Sequence, residues 1–277
     1  MIAPLSSRSL GLGLRPQHYQ DILAKAPAVD FFEVLSENYM NTGGRPLQML
    51  DRIAERHPLV LHGVSMNVAG TDRLDRGYLR ELSALARRCR AIAISDHLSW
   101  SAVDGVHLHD LLPIPYTERA LRHVAARVDA IQDELGCPLV LENPSTYVQL
   151  GDAEFGEAEF LAALVERTGC QLLVDVNNVF VSGHNHGFDP EAWLRAIPWR
   201  NVRWFHLAGH TVLPTHRLDT HDQPVCDEVV ELHALAQRLS GGRPTVLERD
   251  DAIPPLPELV AELHRVAGPS RLQGVAS

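Results

Sequence analysis

The sequence predicts a single α/β domain with the (β/α)8 architecture of a TIM-type barrel. Short apolar runs alternate with amphipathic segments along the chain, and eight of the runs have the character of strands. These strands are apolar on both faces, which is typical of parallel strands covered by helices. The length of 277 residues suits one such barrel, whose usual size is about 250 residues. We therefore expect one domain over residues 1–277.

The predicted strands are short, bounded by polar or turn residues, and too brief to be helices. Six of the eight run directly into an acidic residue or a histidine. In chain order they are Leu10–Leu14, Val29–Leu35, Pro58–Leu61, Ala91–Ser95, Pro138–Leu141, Leu172–Val174, Val202–Phe205 and Thr245–Leu247.

The segments between the strands are predicted to be helices. The clearest is Thr117–Leu135, in which Leu121, Val124 and Val128 recur at helical spacing. Together the predicted helices are Arg15–Lys25, Pro46–Arg56, Leu74–Arg88, Thr117–Leu135, Glu157–Thr168, Pro190–Ile197, Cys226–Leu239 and Leu256–Val266.

Two further segments are predicted to be loops. Leu98–Pro115 contains Pro113 and Pro115, which disfavour regular structure, and we expect it to fold over the strand ends. The residues after Asp175, including Asn177 and Asn178, are also expected to form a loop.

A doubly wound open sheet would show the same alternation of strands and helices, but Gly11–Arg15 lacks the G-x-G-x-x-G spacing of its phosphate turn. The barrel is therefore the favoured fold.

Composition excludes several classes of function. The net charge of −10 argues against a nucleic-acid surface, which needs clustered Lys and Arg. No apolar run reaches the roughly 18 residues of a membrane span, and the first residues do not resemble a signal peptide. The four cysteines form no C-x-x-C pair, so no zinc knuckle or redox dithiol is indicated. We expect a cytoplasmic protein with free thiols.

The polar residues at the strand ends predict a functional site, because these ends converge on one mouth of a TIM barrel. The loop before the last strand adds further candidates to this mouth. The residues expected there are Glu33, Glu37, His62, Asp96, His97, Glu142, Asp175, His206, Asp219, His221, Asp222 and Glu248.

So many imidazoles and carboxylates in one pocket indicate bound metal. Without cations, like charges and desolvation would cost several kcal/mol. The mixed nitrogen and oxygen donors, without thiolate, suit iron, manganese or zinc. They are too numerous for one ion with an open coordination position, so we expect two or three ions, with Glu142 or Asp175 bridging.

Other polar residues near the predicted ligands keep two interpretations. Asn38, Asn143 and Asn177 could orient an imidazole or contact substrate, or could equally make backbone turn bonds. The four histidines His107, His109, His184 and His186 fall in predicted loops, where solvation or a contact behind the ligands is the favoured role.

The chain resembles the multinuclear non-haem iron-dependent oxidative enzymes, a family long described as uncharacterised. The resemblance covers nearly the whole sequence in the correct order of motifs. These are GLGLRPQHY (11–19), FFEVLSENYM (31–40), LHGVS (61–65), SDHLSW (95–100), HLHDLLPIPYT (107–117), LENPSTY (141–147), DVNNVFVSGHNHGFDP (175–190), HLAGH (206–210), DTHDQPV (219–225) and LERDDAIPP (247–255).

The resemblance implies two or three iron ions (Fe2+/Fe3+) and dioxygen as co-substrate for oxidising cysteines of a ribosomally made precursor peptide, as in methanobactin-type biosynthesis. It also implies a companion protein that recognises the peptide. Asp96 departs from the family pattern, where Glu is expected, as does His109, where Asn is expected. The implied metal ligands are His62, His97, Glu142, Asp175, Asn178, His206, Asp219, His221 and Glu248, with Glu37, Asn38, Asn143, Asn177 and His186 around them.

Two other functions remain open on the residues alone. A divalent-metal sugar isomerase or phosphodiester hydrolase of the xylose-isomerase-like barrel type would carry a similar His/Glu/Asp cluster. A non-catalytic metal-binding protein would use the cluster only to hold ions. Metal analysis and oxygen consumption distinguish the isomerase from the oxidase, and the absence of any turnover would indicate the non-catalytic protein.

Overall fold

The computed structural model describes residues 5–151 and 153–268 of the chain. The prediction of one domain over residues 1–277 includes residues 1–4, 152 and 269–277, which lie outside the described residues. The strands are β1 (Leu10–Gly13), β2 (Phe31–Leu35), β3 (Leu59–His62), β4 (Ile94–His97), β5 (Trp100–Val103), β6 (Val106–Leu112), β7 (Leu139–Glu142), β8 (Gln171–Asp175), β9 (Val202–Leu207), β10 (Thr211–Val212), β11 (Arg217–Leu218) and β12 (Thr245–Leu247).

Eight of these strands close into a parallel barrel in the order β1-β12-β9-β8-β7-β4-β3-β2. Apart from the closure of β1 onto β12, every strand pairs with its predecessor and successor among the barrel strands. This confirms the predicted TIM-type barrel. Among the described residues, no helix is both long and apolar enough to cross a membrane.

Helices cover the outside of the barrel, and their ends follow local sequence signals. The side chain of Thr117 accepts the backbone N–H of Ala120 at the start of α4, and Gly136 ends that helix in the left-handed region. The helices are α1 (Tyr19–Lys25), α2 (Arg45–Ala54), α3 (Arg76–Cys89), α4 (Glu118–Leu135), α5 (Glu157–Thr168), α6 (Val176–His186), α7 (Pro190–Ala196), α8 (Asp227–Ser240) and α9 (Leu256–Val266).

The inside of the barrel is filled by its own apolar layer, separate from the larger core between strands and helices. Gly11 on β1 leaves room for the Phe31 ring, because a Cβ at position 11 would lie only 2.6 Å from that ring. The absence of a side chain on β1 lets this ring fill the barrel axis. The inner layer consists of Phe31, Val60, Val140, Leu173, Trp204 and Val246.

Two loop predictions were wrong. Leu98–Pro115 contains the antiparallel hairpin β5–β6, because both prolines lie beyond its second strand. The residues after Asp175 form helix α6 instead of a loop, since the Asp175 side chain accepts the N–H of Asn178 and so starts the helix. The small hairpin β10–β11 was not predicted.

Smaller differences concern where elements begin and end. The fourth predicted strand, Ala91–Ser95, lies at Ile94–His97 instead, and the first predicted helix is a 3-10 turn, Pro16–His18, followed by α1. The shift of β4 matters most, because successive side chains on a strand face opposite sides. Only one of Asp96 and His97 can therefore point into the barrel, and the position of β4 determines which one does.

Candidate metal centre

A polar layer lies directly above the apolar layer inside the barrel, two residues further along each strand. Because side chains alternate across a strand, a residue two positions after an inward-facing one also faces inward. Two positions after the six residues of the inner layer come Glu33, His62, Glu142, Asp175, His206 and Glu248. All six of these side chains are at most 8% exposed. The barrel thus gathers ionisable side chains from six different strands.

A first group of potential ligands consists of His62, His97 and Glu142. The Nε2 atoms of His62 and His97 lie 3.4 and 3.3 Å from Glu142 Oε2. The two imidazole rings are 4.7 Å apart at their centroids. Three donor atoms thus converge on one point at the upper end of β3, β4 and β7.

Hydrogen bonds fix the orientation of both imidazoles in this group. Ser95 donates its hydroxyl to the Leu61 carbonyl at 3.1 Å, so its oxygen accepts from His62 Nδ1 at 2.9 Å. His97 Nδ1 lies 3.2 Å from the Gly63 carbonyl, which can only accept. In the neutral state, both rings therefore carry their proton on Nδ1 and present the Nε2 lone pair to the cluster.

A second group consists of Glu142, Asp175, His206 and Glu248. His206 Nδ1 lies 3.1 Å from Glu248 Oε2 and 3.5 Å from Glu142 Oε1, and its Nε2 lies 2.8 Å from Glu33 Oε1. Glu142 belongs to both groups, with one oxygen facing each. This is the arrangement of a carboxylate that can bridge two ions.

Asp219 and His221 lie beside the second group, on the loop before β12. His221 Nε2 is 2.8 Å from Asp219 Oδ1, and its Nδ1 bonds Asp250 Oδ2 at 3.0 Å and lies 3.7 Å from Glu248. Asn177 donates to Asp219 Oδ1 at 2.7 Å. His221 adopts a left-handed φ of 52°, a conformation that non-glycine residues keep only where their surroundings enforce it.

Burial and neighbouring charges shift the pKa values of the cluster residues, in several cases in opposite directions. Burial raises the pKa of Glu142, but the charges of His97, His206 and His62 outweigh it and lower that pKa to about 2. Burial lowers the pKa of His97, yet Glu142 and Asp96 raise it to about 9. Burial, Glu142 and Asp219 raise the pKa of Asp175 well above its usual range.

Several of these groups are buried without an aligned hydrogen-bond partner. In the described part of the chain, both nitrogens of His206 have none, although carboxylates lie close to them. Unsatisfied buried polar atoms are costly and rare in native proteins. The atoms concerned at this site are Glu33 Oε2, Glu142 Oε2, Asp175 Oδ2, Asn178 Oδ1, His206 Nδ1 and Nε2, and His221 Nε2.

Three predicted site residues surround the cluster through defined contacts. Asn143 bonds both the N–H and the carbonyl of Asp175 and so holds the end of β8. Asn178, on the first turn of α6, donates to the Asn143 carbonyl and lies 3.5 Å from Glu142 Oε1. Asn177 connects His210, whose Nδ1 donates to it at 2.8 Å, with Asp219.

Other predicted residues are not brought into the cluster. Asp96 faces outward and accepts the N–H groups of Met66 and His97, because β4 turns His97 inward. Glu37 accepts three donors outside the barrel, and His186 bonds Thr146 at 2.8 Å. Asn38 lines the pocket above the cluster and, among the described residues, makes no hydrogen bond to a predicted metal ligand.

Sequence reasoning missed three contributors. Ser95 faces inward between Ala93 and His97, a period-two relation that becomes visible once the register of β4 is known. The Gly63 carbonyl gives no sequence signal. Asp250, which pairs with both Arg15 and His221, follows the predicted ligand Glu248 by two residues.

A pocket of about 610 Å³ opens above the cluster, and we call it the mouth pocket. This volume is typical of a small-ligand site. Its floor includes His62, Glu142 and Glu248, and its rim includes His109 of β6 and Tyr147. A bound molecule would therefore reach the first group directly, whereas Asp175 and His206 lie deeper.

Comparison with known proteins points to one family. A family model described as "RiPP precursor modification enzyme MbnB/TglH/ChrH" matches residues 9–270. A UPF0276 protein of Caulobacter vibrioides is 50% identical over 254 residues, covering 91% of each chain. A UPF0276 protein of Rhizorhabdus wittichii is 53% identical over 261 residues, covering 93% of this chain and 94% of the relative.

Solved structures share the fold at low identity. D-psicose 3-epimerase from Clostridium cellulolyticum H10, with D-tagatose, superposes with a TM-score of 0.61 at 9% identity, covering 92% of this chain and 89% of the epimerase. A xylose isomerase-like TIM barrel/4-hydroxyphenylpyruvate dioxygenase fusion protein gives 0.65 at 14% identity, covering 93% of this chain and 42% of the fusion protein. The barrel is therefore of the xylose-isomerase-like type, as predicted.

Proposed function

The chain belongs to the RiPP precursor modification enzyme family MbnB/TglH/ChrH, and we propose that it uses two or three iron ions and dioxygen to oxidise cysteine residues of a precursor peptide. The observation that carries this proposal is Glu142. It directs one oxygen to the two imidazoles of the first group and the other to His206 of the second group. A single ion does not need such a shared carboxylate, whereas a multinuclear centre does.

The residues fit a metal centre by their unsatisfied atoms. His62 and His97 already use Nδ1 in hydrogen bonds, so only Nε2 remains to bind a cation. The buried oxygens of Glu142 and Asp175 without partners complete a donor set of nitrogen and oxygen. These donors suit iron, and bound iron would supply redox chemistry that no side chain of the site can provide.

The metal ligands implied by the family resemblance are part of this proposal, and they fall into two sets by position. His62, His97, Glu142, Asp175, His206 and Glu248 converge in the two groups. Asp219, His221 and Asn178 lie next to these groups and would hold a third ion.

A cysteine of the substrate fits the chemistry of the mouth pocket. Among the described residues, none of the chain's own cysteines lines this pocket, so a substrate thiolate would meet no competing sulfur. Thiolates are favoured ligands of iron. Reduction of dioxygen to two water molecules takes four electrons and four protons, so the proposed reaction removes four electrons and four protons from the cysteine residue and its neighbouring peptide group. We also expect a companion protein to recognise the rest of the peptide.

The test uses anaerobically purified, iron-supplied protein and the cysteine-containing peptide encoded nearest to its gene, with the companion protein present. We expect more than one equivalent of iron and a change in peptide mass that requires dioxygen. A peptide with serine in place of the cysteine is the control and should keep its mass.

The competing function is sugar epimerisation or isomerisation, for which D-fructose and D-tagatose serve as substrates in a parallel assay. Conversion of a sugar without dioxygen, together with an unchanged peptide, would overturn the oxidase proposal. Metal binding without either reaction would favour the non-catalytic alternative.

A further inference from the structure

A second cavity of about 1170 Å³ lies next to the mouth pocket, and we call it the hairpin cavity. It is enclosed by the β5–β6 hairpin, the segment after β3 and the start of α3. Four residues line both spaces: Val64, His109, Asp110 and Leu111. Only a thin wall of side chains and one stretch of strand therefore separates the two cavities.

The wall is formed by an irregular part of β6. The hairpin pairs Trp100 with Leu112 and Ala102 with His107, so β6 contains more residues than β5 between these pairs. His109, in the bulged part, has a left-handed φ of 54°. Such bulges redirect side chains and are common beside binding sites. Here the bulge carries residues that face both cavities.

Two polar atoms of the hairpin cavity lack a partner. Ser101 is only 5% exposed, and its hydroxyl makes no hydrogen bond among the described residues. Glu37 uses Oε1 to accept from Val64, Ser65 and Tyr78, but its buried Oε2 has no partner. A bound group with hydrogen-bond donors would satisfy both atoms.

The charge of the hairpin cavity is negative. Its only cations among the described lining residues are Arg73 and Arg127, and Arg127 donates to the carbonyls of Val68, Asp72 and Asn67. Those bonds turn the Arg127 guanidinium toward the backbone. The carboxylates along the lining are Glu37, Asp72, Asp75, Glu81 and Asp110.

We propose that the hairpin cavity is a second substrate subsite that binds a positively charged peptide segment next to the residue held in the mouth pocket. This inference rests on the proposed function, because it takes the substrate to be a peptide. An extended chain that enters one cavity can continue across the β6 bulge into the other. The carboxylates and the free Glu37 and Ser101 oxygens would then meet ammonium, guanidinium and backbone N–H donors.

The probes are short, capped, fluorescent peptides of equal length in which serine replaces cysteine and is flanked by lysine, glutamate or glutamine. Their binding to full-length, chelator-treated protein is measured by fluorescence anisotropy. Neither iron nor oxidation is involved, so the result is independent of whether the protein turns over a cysteine peptide. We expect the lysine peptide to bind most tightly and the glutamate peptide most weakly.

Two variants locate the binding. D75N/E81Q removes two carboxylates that line the hairpin cavity but not the mouth pocket, and asparagine at position 75 can still cap α3. A102F fills the cavity from β5, where Ala102 is 6% exposed. The charge variant should weaken binding of the lysine peptide by about two- to twentyfold, the range for losing two partly exposed ion pairs. A102F should also weaken this binding, because its ring occupies the space of the peptide. The matched control D133N/E231Q removes two exposed carboxylates from α4 and α8 and should leave binding unchanged.

Equal affinity of D75N/E81Q and wild type for the lysine peptide would overturn the proposal, as would an equal loss in the control. Circular dichroism shows whether A102F is folded; if it is not, D75N/E81Q alone decides. Charge-selective binding without any oxidation of a cysteine peptide would reject the proposed reaction but retain the peptide subsite.

Discussion

Replacing Asp175 by asparagine is expected to stabilise the metal-free protein while lowering its metal content. Asp175 is fully buried, its Oδ1 accepts the Asn178 N–H at 2.6 Å, and its Oδ2 has no partner. An asparagine oxygen can keep the first bond, so the start of α6 survives. The charge that metal would neutralise is lost, and with it one donor for the second group.

The sign of the effect follows from the pKa. Burial, Glu142 and Asp219 raise the pKa of Asp175 in the folded protein above its ordinary value of 3.8, so folding takes up a proton. The contribution of this group to stability is therefore fully present below about pH 4 and is lost as the pH rises toward the raised pKa. The asparagine variant lacks this loss, and its advantage should grow from about pH 4 toward neutral pH.

The size of the gain can be bounded from the contacts. An unsatisfied buried polar atom costs about 1–3 kcal/mol, and more when charged. For a chain of this size each kcal/mol shifts the melting temperature by about 2–4 °C. We therefore expect D175N to melt about 2–12 °C higher than wild type at neutral pH after chelation.

Thermal melts of chelator-treated protein at several pH values test this, with metal analysis of untreated samples. D133N, on the exposed face of α4, serves as the control and should match wild type in both measurements. A D175N protein that is less stable than wild type at every pH would refute the reasoning that this carboxylate is held under electrostatic strain.

Three further predictions follow from single contacts. E142Q should lose metal from both groups, and atomic emission analysis that found full occupancy would show that Glu142 is not shared. S95A should bind metal about 10- to 100-fold more weakly in a chelator competition, because His62 loses the partner that fixes its proton on Nδ1; S95T, which keeps a hydroxyl, should recover most of the affinity. Burial lowers the pKa of His233 to about 4 from 6.5, so the contribution of His233 to stability should fall by about 1.4 kcal/mol per pH unit as the pH drops from 6.5 toward 4; the difference between wild type and H233Q in the free energy of unfolding by urea should show this slope.

The barrel could be predicted from the sequence because its strands and helices are set by local patterns. The mouth of the barrel followed, since strand ends converge in this fold. The side of the strand to which each side chain points could not be predicted from the sequence, because it depends on the register of the strand in the barrel. The alternation of side chains predicts only that Ser95 and His97 face one side of the strand and Asp96 the other. The register of β4 is needed to show that Ser95 and His97 face inward and Asp96 outward.

The missed hairpin had a sequence signal that the prolines obscured. Asp104 and Gly105 connect β5 and β6 with φ values of 51° and 75°, and Asp-Gly is a strong signal for a two-residue hairpin turn. Helix α6 was missed because Asn177 and Asn178 are typical turn residues. Asp175 before them and Gly187 after them are the helix-capping signals that would have identified it.

The contacts of the cluster separate the atoms that fix position from the atoms that face the centre. Ser95 and Gly63 hold Nδ1 of two imidazoles, and Asn143 holds the backbone of Asp175. Each of these contacts is made on the side away from the cluster. The geometry is thus fixed before any cation binds, which lowers the reorganisation that binding would require.

This separation has an energetic consequence. Since the orienting bonds do not involve the inward atoms, removing metal should leave the side chains near their positions while exposing them to mutual repulsion. The cost then appears in stability and in pKa values instead of in a rearranged fold. A chelated protein should therefore keep its near-ultraviolet circular dichroism while melting at a lower temperature. Loss of the near-ultraviolet signal on chelation would show that the cation, and not the hydrogen bonds behind the ligands, fixes the geometry of the centre.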